Sequence, residues 1–176
     1  HHPVARRREP GFAPTIHDAR LGDEAVAGAL AALAAPGAAP DIVRATAVSL
    51  VPRVGGEAWR AVPDALADPD PLVRVRAASA ASSLPPARRL PLLVPLLDDE
   101  VRAVRVETGR ALAAVPSGVL EPPQDARLRR AVAEYEAGQQ AVADLATGRM
   151  NLALLYTDQG RLDEAERQYR TAIAQD

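Results

Sequence analysis

His1, His2 and His17 are the side chains best suited to ligate a metal or move a proton near neutral pH. His1 and His2 are adjacent at the start of the sequence, where a native pair and a purification-tag remnant look alike. His17 stands beside Asp18 and reads as a solvated position on a short helix. Ser49, Ser79, Ser82, Ser83 and Ser117 lie on or beside predicted helices, without the glycine-flanked turn that exposes a nucleophile. Gly55-Gly56 is a turn and not a phosphate loop, since no lysine follows it. Asp98, Asp99 and Glu100 form an acidic turn that could hold a cation, although helix capping uses the same residues. Glu134 and Glu136 are two positions apart and cannot share a helix face. No nucleophile, base and orienting group come together. The expectation is a non-catalytic chain with no cofactor of its own.

Composition narrows the scaffold that carries these residues. The 176-residue chain has no cysteine, which excludes disulfides, thiol catalysis, zinc–thiolate sites and c-type haem attachment within it. All 21 basic residues are arginine and the formal net charge is −2, so the chain as a whole is not marked as a nucleic-acid binder. Arg6, Arg7 and Arg8 make a short basic cluster. The sequence is 48% hydrophobic but only 3% aromatic, so its core must be built from Ala, Leu and Val. Ala favours helices and disfavours strands. The longest apolar stretch, Ala25 to Pro36, is too short to span a bilayer. The sequence opens without Met and stops mid-pattern at Asp176, and is read as a segment of a longer protein.

Internal repetition supplies the architecture. Ile42-Val43-Arg44-Ala45-Thr46-Ala47, Leu72-Val73-Arg74-Val75-Arg76-Ala77 and Ala103-Val104-Arg105-Val106-Glu107-Thr108 align without gaps. The Val-Arg pair recurs at 43/44, 73/74 and 104/105. First helices are expected over 24–35, 56–67 and 87–97, second helices over 41–53, 71–83 and 100–115. Val26, Leu30 and Leu33 share one helical face, as do Leu90, Leu93, Val94 and Leu97. Pro71 suits a first turn, and Asp68 and Asp99 can cap free N–H groups. Before the repeats, residues 1–22 are expected as an extended segment and a short helix over 14–21. There Phe12 and Ile16 are expected to pack on the first repeat.

The repeated stretches resemble the HEAT family, particularly its shorter bacterial form, over residues 23–117. The resemblance rests on Asp68-Pro69-Asp70-Pro71-Leu72-Val73-Arg74 and its echo from Asp99 to Arg105. It implies that a turn Asp and an Arg six residues later form a ladder between repeats, making Asp68/Arg74 and Asp99/Arg105 ladder pairs. The first repeat departs from the pattern, with Ala38 in place of the Asp. Arg44 therefore either ends the ladder or faces a partner. Second helices line the concave side in that family, which leaves Arg76 and Arg102 as candidates to meet an acidic partner, against the default of a solvated face.

The pattern changes over 118–176. Leu152, Ala153, Tyr156, Gly160, Ala165, Tyr169 and Ala172 match the spacing of a tetratricopeptide repeat, with Arg149 where a large residue is usual. One period back, Ala131, Tyr135 and Gly138 suggest the second helix of a preceding half unit over 124–142. Its first helix is expected to be missing, because Pro116, Gly118, Pro122 and Pro123 occupy the place. By resemblance, Met150, Asn151, Leu154, Thr157 and Asp158 would line the inner groove. Asn151 falls where such domains hydrogen-bond a peptide's backbone or terminal carboxylate. The alternative is that these residues pack on a further repeat.

Together these patterns imply an all-α fold, a right-handed α-α superhelix (solenoid) of about three HEAT-like helix pairs followed by one and a half tetratricopeptide-type units. Such a surface suits a protein or peptide partner, without nucleic acid or a membrane span. The oligomeric state is left open. The arrangement also resembles the C-terminal region of certain bacterial multihaem cytochrome-like proteins. That likeness is carried by residues 6–22, by 42–47 and by Gly160-Arg161-Leu162-Asp163-Glu164-Ala165. It would imply a periplasmic location, with haem attachment confined to parts of a parent chain upstream. The alternative is an accessory module to an enzyme, similar to the HEAT-like proteins that assist pigment attachment to antenna proteins.

Overall fold

A computed structural model describes residues 11–175, whose regular elements are all helices. His1, His2 and the Arg6–Arg8 cluster lie outside the described residues. The chain divides into two compact units, residues 1–80 and 81–176. The expected boundary at 117/118 therefore falls inside the second unit, where the helix pattern changes but the packing continues.

The first unit holds α1 (Ala13–Leu21), α2 (Ala27–Ala34), α3 (Asp41–Val54) and α4 (Val62–Leu66), and α5 (Pro71–Ala81) begins in it. α2 packs on α3, and α1 packs on both. Leu30, Ala34, Val48, Val51, Val54 and Ala58 are fully or almost fully buried. Ile16 is buried as expected, but Phe12 is half exposed. Phe12 is the residue before α1, where its carbonyl accepts from the Ile16 N–H, and its ring stays at the surface.

The first helices are shorter than the apolar pattern implies. Glu24–Val26 and Gly56–Ala61 are 3-10 turns that lead into α2 and α4. Gly55 and Gly56 enter the second of these turns at φ +72° and +52°, a region open to glycine. Second helices start close to their expected positions, and local capping explains why. The Asp70 carboxylate accepts from the Leu72 N–H at 2.8 Å just as Pro71 opens α5. Asp99 accepts from the Val101 N–H at 2.8 Å just before α7.

The second unit contains α6 (Pro86–Leu93), α7 (Arg102–Leu112), α8 (Pro122–Gln140), α9 (Ala146–Asp158) and α10 (Leu162–Gln175). α6 gives way to a 3-10 turn, Val94–Asp98, because Pro95 has no N–H to give the carbonyl four residues earlier. As expected, no helix forms over 113–121. Pro122 and Pro123 open α8, where a missing N–H costs nothing, and the Glu121 N–H is closed by Gln124 Oε1 at 3.1 Å. α7 packs on α8, α8 on α9 and α9 on α10. α8 takes α7, the second helix of the third repeat, as its neighbour.

Two glycines make these contacts possible. A Cβ on Gly109 of α7 would lie 2.7 Å from the Ala131 carbonyl carbon of α8. A Cβ on Gly148 of α9 would lie 2.4 Å from the Val142 carbonyl oxygen. The α9–α10 pair buries Leu152, Ala153, Tyr156, Ala165 and Ala172 along its seam.

Candidate binding groove

The arginines of the repeated motif are used inside the fold in a common way. Arg74 Nη1 donates to the Asp68 carbonyl at 2.9 Å and the Pro69 carbonyl at 3.1 Å. Arg105 Nη1 donates to the Asp99 carbonyl at 2.9 Å and the Glu100 carbonyl at 3.1 Å. Each guanidinium therefore staples the turn that begins its own helix. Within each pair the contact runs to the backbone carbonyl of the Asp. The Asp68 carboxylate is instead paired with Arg44, and both side chains are buried. Arg44 thus reaches the turn Asp of the next repeated motif, and it also reaches Asp41 on its own helix.

Arg102 is half committed. It reaches the Glu134 carboxylate at 3.5 Å, and the same carboxylate takes Arg105 at 3.2 Å. Arg76 is exposed on α5 with no ion-pair partner among the described residues. The acidic turn is also occupied, with Asp98 bound to Arg127 at 2.9 Å and Asp99 capping. His17 is exposed on α1. No group of three or more potential metal ligands occurs among the described residues.

The residues implied by the tetratricopeptide resemblance behave differently. Asn151, Leu154 and Asp158 line one groove of about 360 Å³ with Glu107, Arg110, Tyr135, Gln139 and Leu155. They come from α9, the others from α7 and α8 as well, and α9 places Asn151, Leu154 and Asp158 on one face by i, i+3, i+7 spacing. Met150 and Thr157 do not line this groove. Met150 is exposed, and the Thr157 hydroxyl donates to the Ala153 carbonyl at 2.8 Å.

The groove is polar at its walls and apolar at one edge. Asn151 Nδ2 donates to Gln139 Oε1 at 2.9 Å, leaving the Asn151 carbonyl and the Gln139 amide N–H groups for a ligand. Leu154 is 51% exposed and offers the apolar contact. Arg110 is held by Glu107 through bonds of 2.6, 3.1 and 3.2 Å. That contact, foremost, raises the Arg110 pKa above its ordinary value, so its charge is permanent and internally balanced. Burial pushes the Tyr135 phenol up from its usual range, so it stays a neutral donor. Asp158 has no ion pair among the described residues, so the groove carries a net negative charge.

A larger cavity of about 710 Å³ lies between the loop 113–117, α8 and the α9–α10 turn. Most of its charged groups are paired, Asp125 with Arg129 and Glu136 and Arg161 within one network, while Asp158 is shared with the smaller groove. The Tyr156 hydroxyl donates to Glu136 at 2.6 Å, and Arg161 donates to Glu164 at 2.7 Å while stacking 4.1 Å above the Tyr156 ring. This network braces the hairpin from inside and leaves little for a ligand to bind.

Glu107, Arg110 and Gln139 were not singled out from the sequence. The i, i+3 spacing of Glu107 and Arg110 was visible as an ion pair, but nothing local placed α7 beside α8 and α9. Comparison with protein-family models, curated proteins and solved structures returns no match to this chain.

Proposed function

We propose that this chain is a non-catalytic protein-interaction module, and that the groove on α7, α8 and α9 receives a peptide segment. The observation that carries the reading is the convergence of Asn151, Leu154 and Asp158 on one groove with the Tyr135 and Gln139 side chains. A peptide backbone offers a donor and an acceptor at each residue, which suits an Asn–Gln amide pair with both kinds of group to spare. Leu154 supplies apolar area for one side chain of the ligand. The volume falls within the range usual for small binding sites.

Of the two peptide features expected for Asn151, this reading takes the backbone and not the terminal carboxylate. A carboxylate needs an uncompensated cation, and the groove's arginine is already neutralised by Glu107. In the same reading the helices are HEAT-like pairs followed by tetratricopeptide-type helices, stacked as a solenoid. The matching staples of Arg74 and Arg105 support the first part, and the α9–α10 seam supports the second. α7 then serves both series, as the last HEAT-like helix and as the partner of the half unit.

The test is selection from a random peptide display library, followed by calorimetric titration of the selected peptide. Leu154→Glu is expected to weaken binding by about tenfold or more while leaving the helical content unchanged. Equal affinity of this variant for every selected peptide would overturn the assignment of the groove.

A further inference from the structure

α10 carries an outward face that is its own complement. Leu162 is 65% exposed and Ile173 is 75% exposed, at opposite ends of the helix. At 3.6 residues per turn, positions 162, 166, 170 and 173 lie on one side of α10. That side is turned about a quarter of a turn from Ala165 and Ala172, which are buried against α9. Between the two apolar ends stand Glu166 and Arg170, paired with each other at 2.7 Å and both mostly exposed. None of these residues lines the groove described above.

The order along the stripe is apolar, acidic, basic, apolar. Turned end over end, it reads apolar, basic, acidic, apolar. We infer that a second copy of this chain docks here, α10 against α10 in antiparallel, about a two-fold axis near position 168. Leu162 then meets Ile173 of the other copy, and Glu166 meets the other copy's Arg170. The same patch serves both sides, as an isologous interface requires. Two like charges never face each other, and the intrahelical pairs merge into a four-charge cluster. A helix of 14 residues is about 20 Å long, which gives a contact at the small end of specific interfaces. The association is therefore weak and concentration-dependent, and it joins two binding grooves in one particle.

Sedimentation equilibrium over a concentration series reads this out. The wild-type weight-average mass should climb from one chain toward two, and Ile173→Glu should hold it at one. Glu166→Arg and Arg170→Glu should each be monomeric alone, because each places like charges across the axis. Mixed in equal amounts, these two variants should pair, since every cross-axis contact is then complementary. The mixing experiment separates the interface from the intrahelical pair, because each variant still carries like charges within its own helix. Circular dichroism of each variant checks that α10 stays helical. A wild-type chain that stays monomeric throughout, a mixture no heavier than its components, or an Ile173→Glu chain that still dimerises would each overturn the inference.

Discussion

Arg44 of α3 and Asp68, 24 residues later in the turn before α5, form an ion pair with both side chains almost wholly buried. The pair ties the first repeated motif to the second. Arg44→Met leaves the Asp68 carboxylate buried without its cation and is expected to cost about 3 kcal/mol or more in denaturant unfolding. Asp68→Ala should cost less, because Arg44 keeps its contact with Asp41. The double variant Arg44→Met, Asp68→Leu should recover much of the loss, because no buried charge then remains. Costs that simply add in the double variant would contradict this account of the pair.

Gly109 and Gly138 give opposite predictions for the same substitution. A Cβ on Gly109 would collide with the backbone of α8, so Gly109→Ala should destabilise by roughly 1–3 kcal/mol. Gly138 is helical and has nothing within contact range, so Gly138→Ala should stabilise by roughly 0.5–1 kcal/mol. Thermal unfolding of the two variants checks the sign of each.

Thr108 is wholly buried and its hydroxyl has no hydrogen-bond partner among the described residues. Its desolvation is uncompensated, so Thr108→Val, which keeps the shape, should stabilise by about 1 kcal/mol. A lower melting temperature for this variant would mean that the hydroxyl has a function in the fold.

The absence of lysine and cysteine makes the alkaline range unusually simple. Above about pH 9 only tyrosines titrate appreciably, since arginine stays protonated. Burial raises Tyr135 and Tyr156 above the ordinary phenol value of 10.0, and for Tyr156 the Glu136 contact adds to it. The unfolded chain then loses these protons first. Stability is fully present below pH 10 and declines as pH rises through the raised values. Tyrosinate absorbance recorded alongside unfolding should show two phenols ionising late in the folded protein and at the ordinary value once it unfolds.

How much of this was legible in advance depends on distance along the chain. α3, α5 and α7 start within about two residues of their expected positions, because Pro40, Pro71, Asp70 and Asp99 act on their immediate neighbours. The shortened first helices were less visible. An apolar stripe continues through Val94 and Leu97 whether the backbone is α or 3-10, and Pro95 decides between them. Asn151, Leu154 and Asp158 were readable as one helix face. The opposite wall of the groove, from Glu107 to Gln139, depends on α7 packing on α8, and the only local hint was the small side of Gly109. Arg44 and Asp68 both recur with the repeat, at 74 and 99, but they stand 24 residues apart in neighbouring repeats, so their pairing appears only in three dimensions.

The proposal that the second unit grips a peptide between α7, α8 and α9 is tested most directly by amide chemical-shift mapping. A library-selected peptide is titrated into isotope-labelled protein. The expected result is a continuous set of shifts at Glu107, Arg110, Tyr135, Gln139, Asn151, Leu154 and Asp158. Shifts gathered instead around Arg76, or no perturbation beyond that caused by a scrambled peptide, would contradict it.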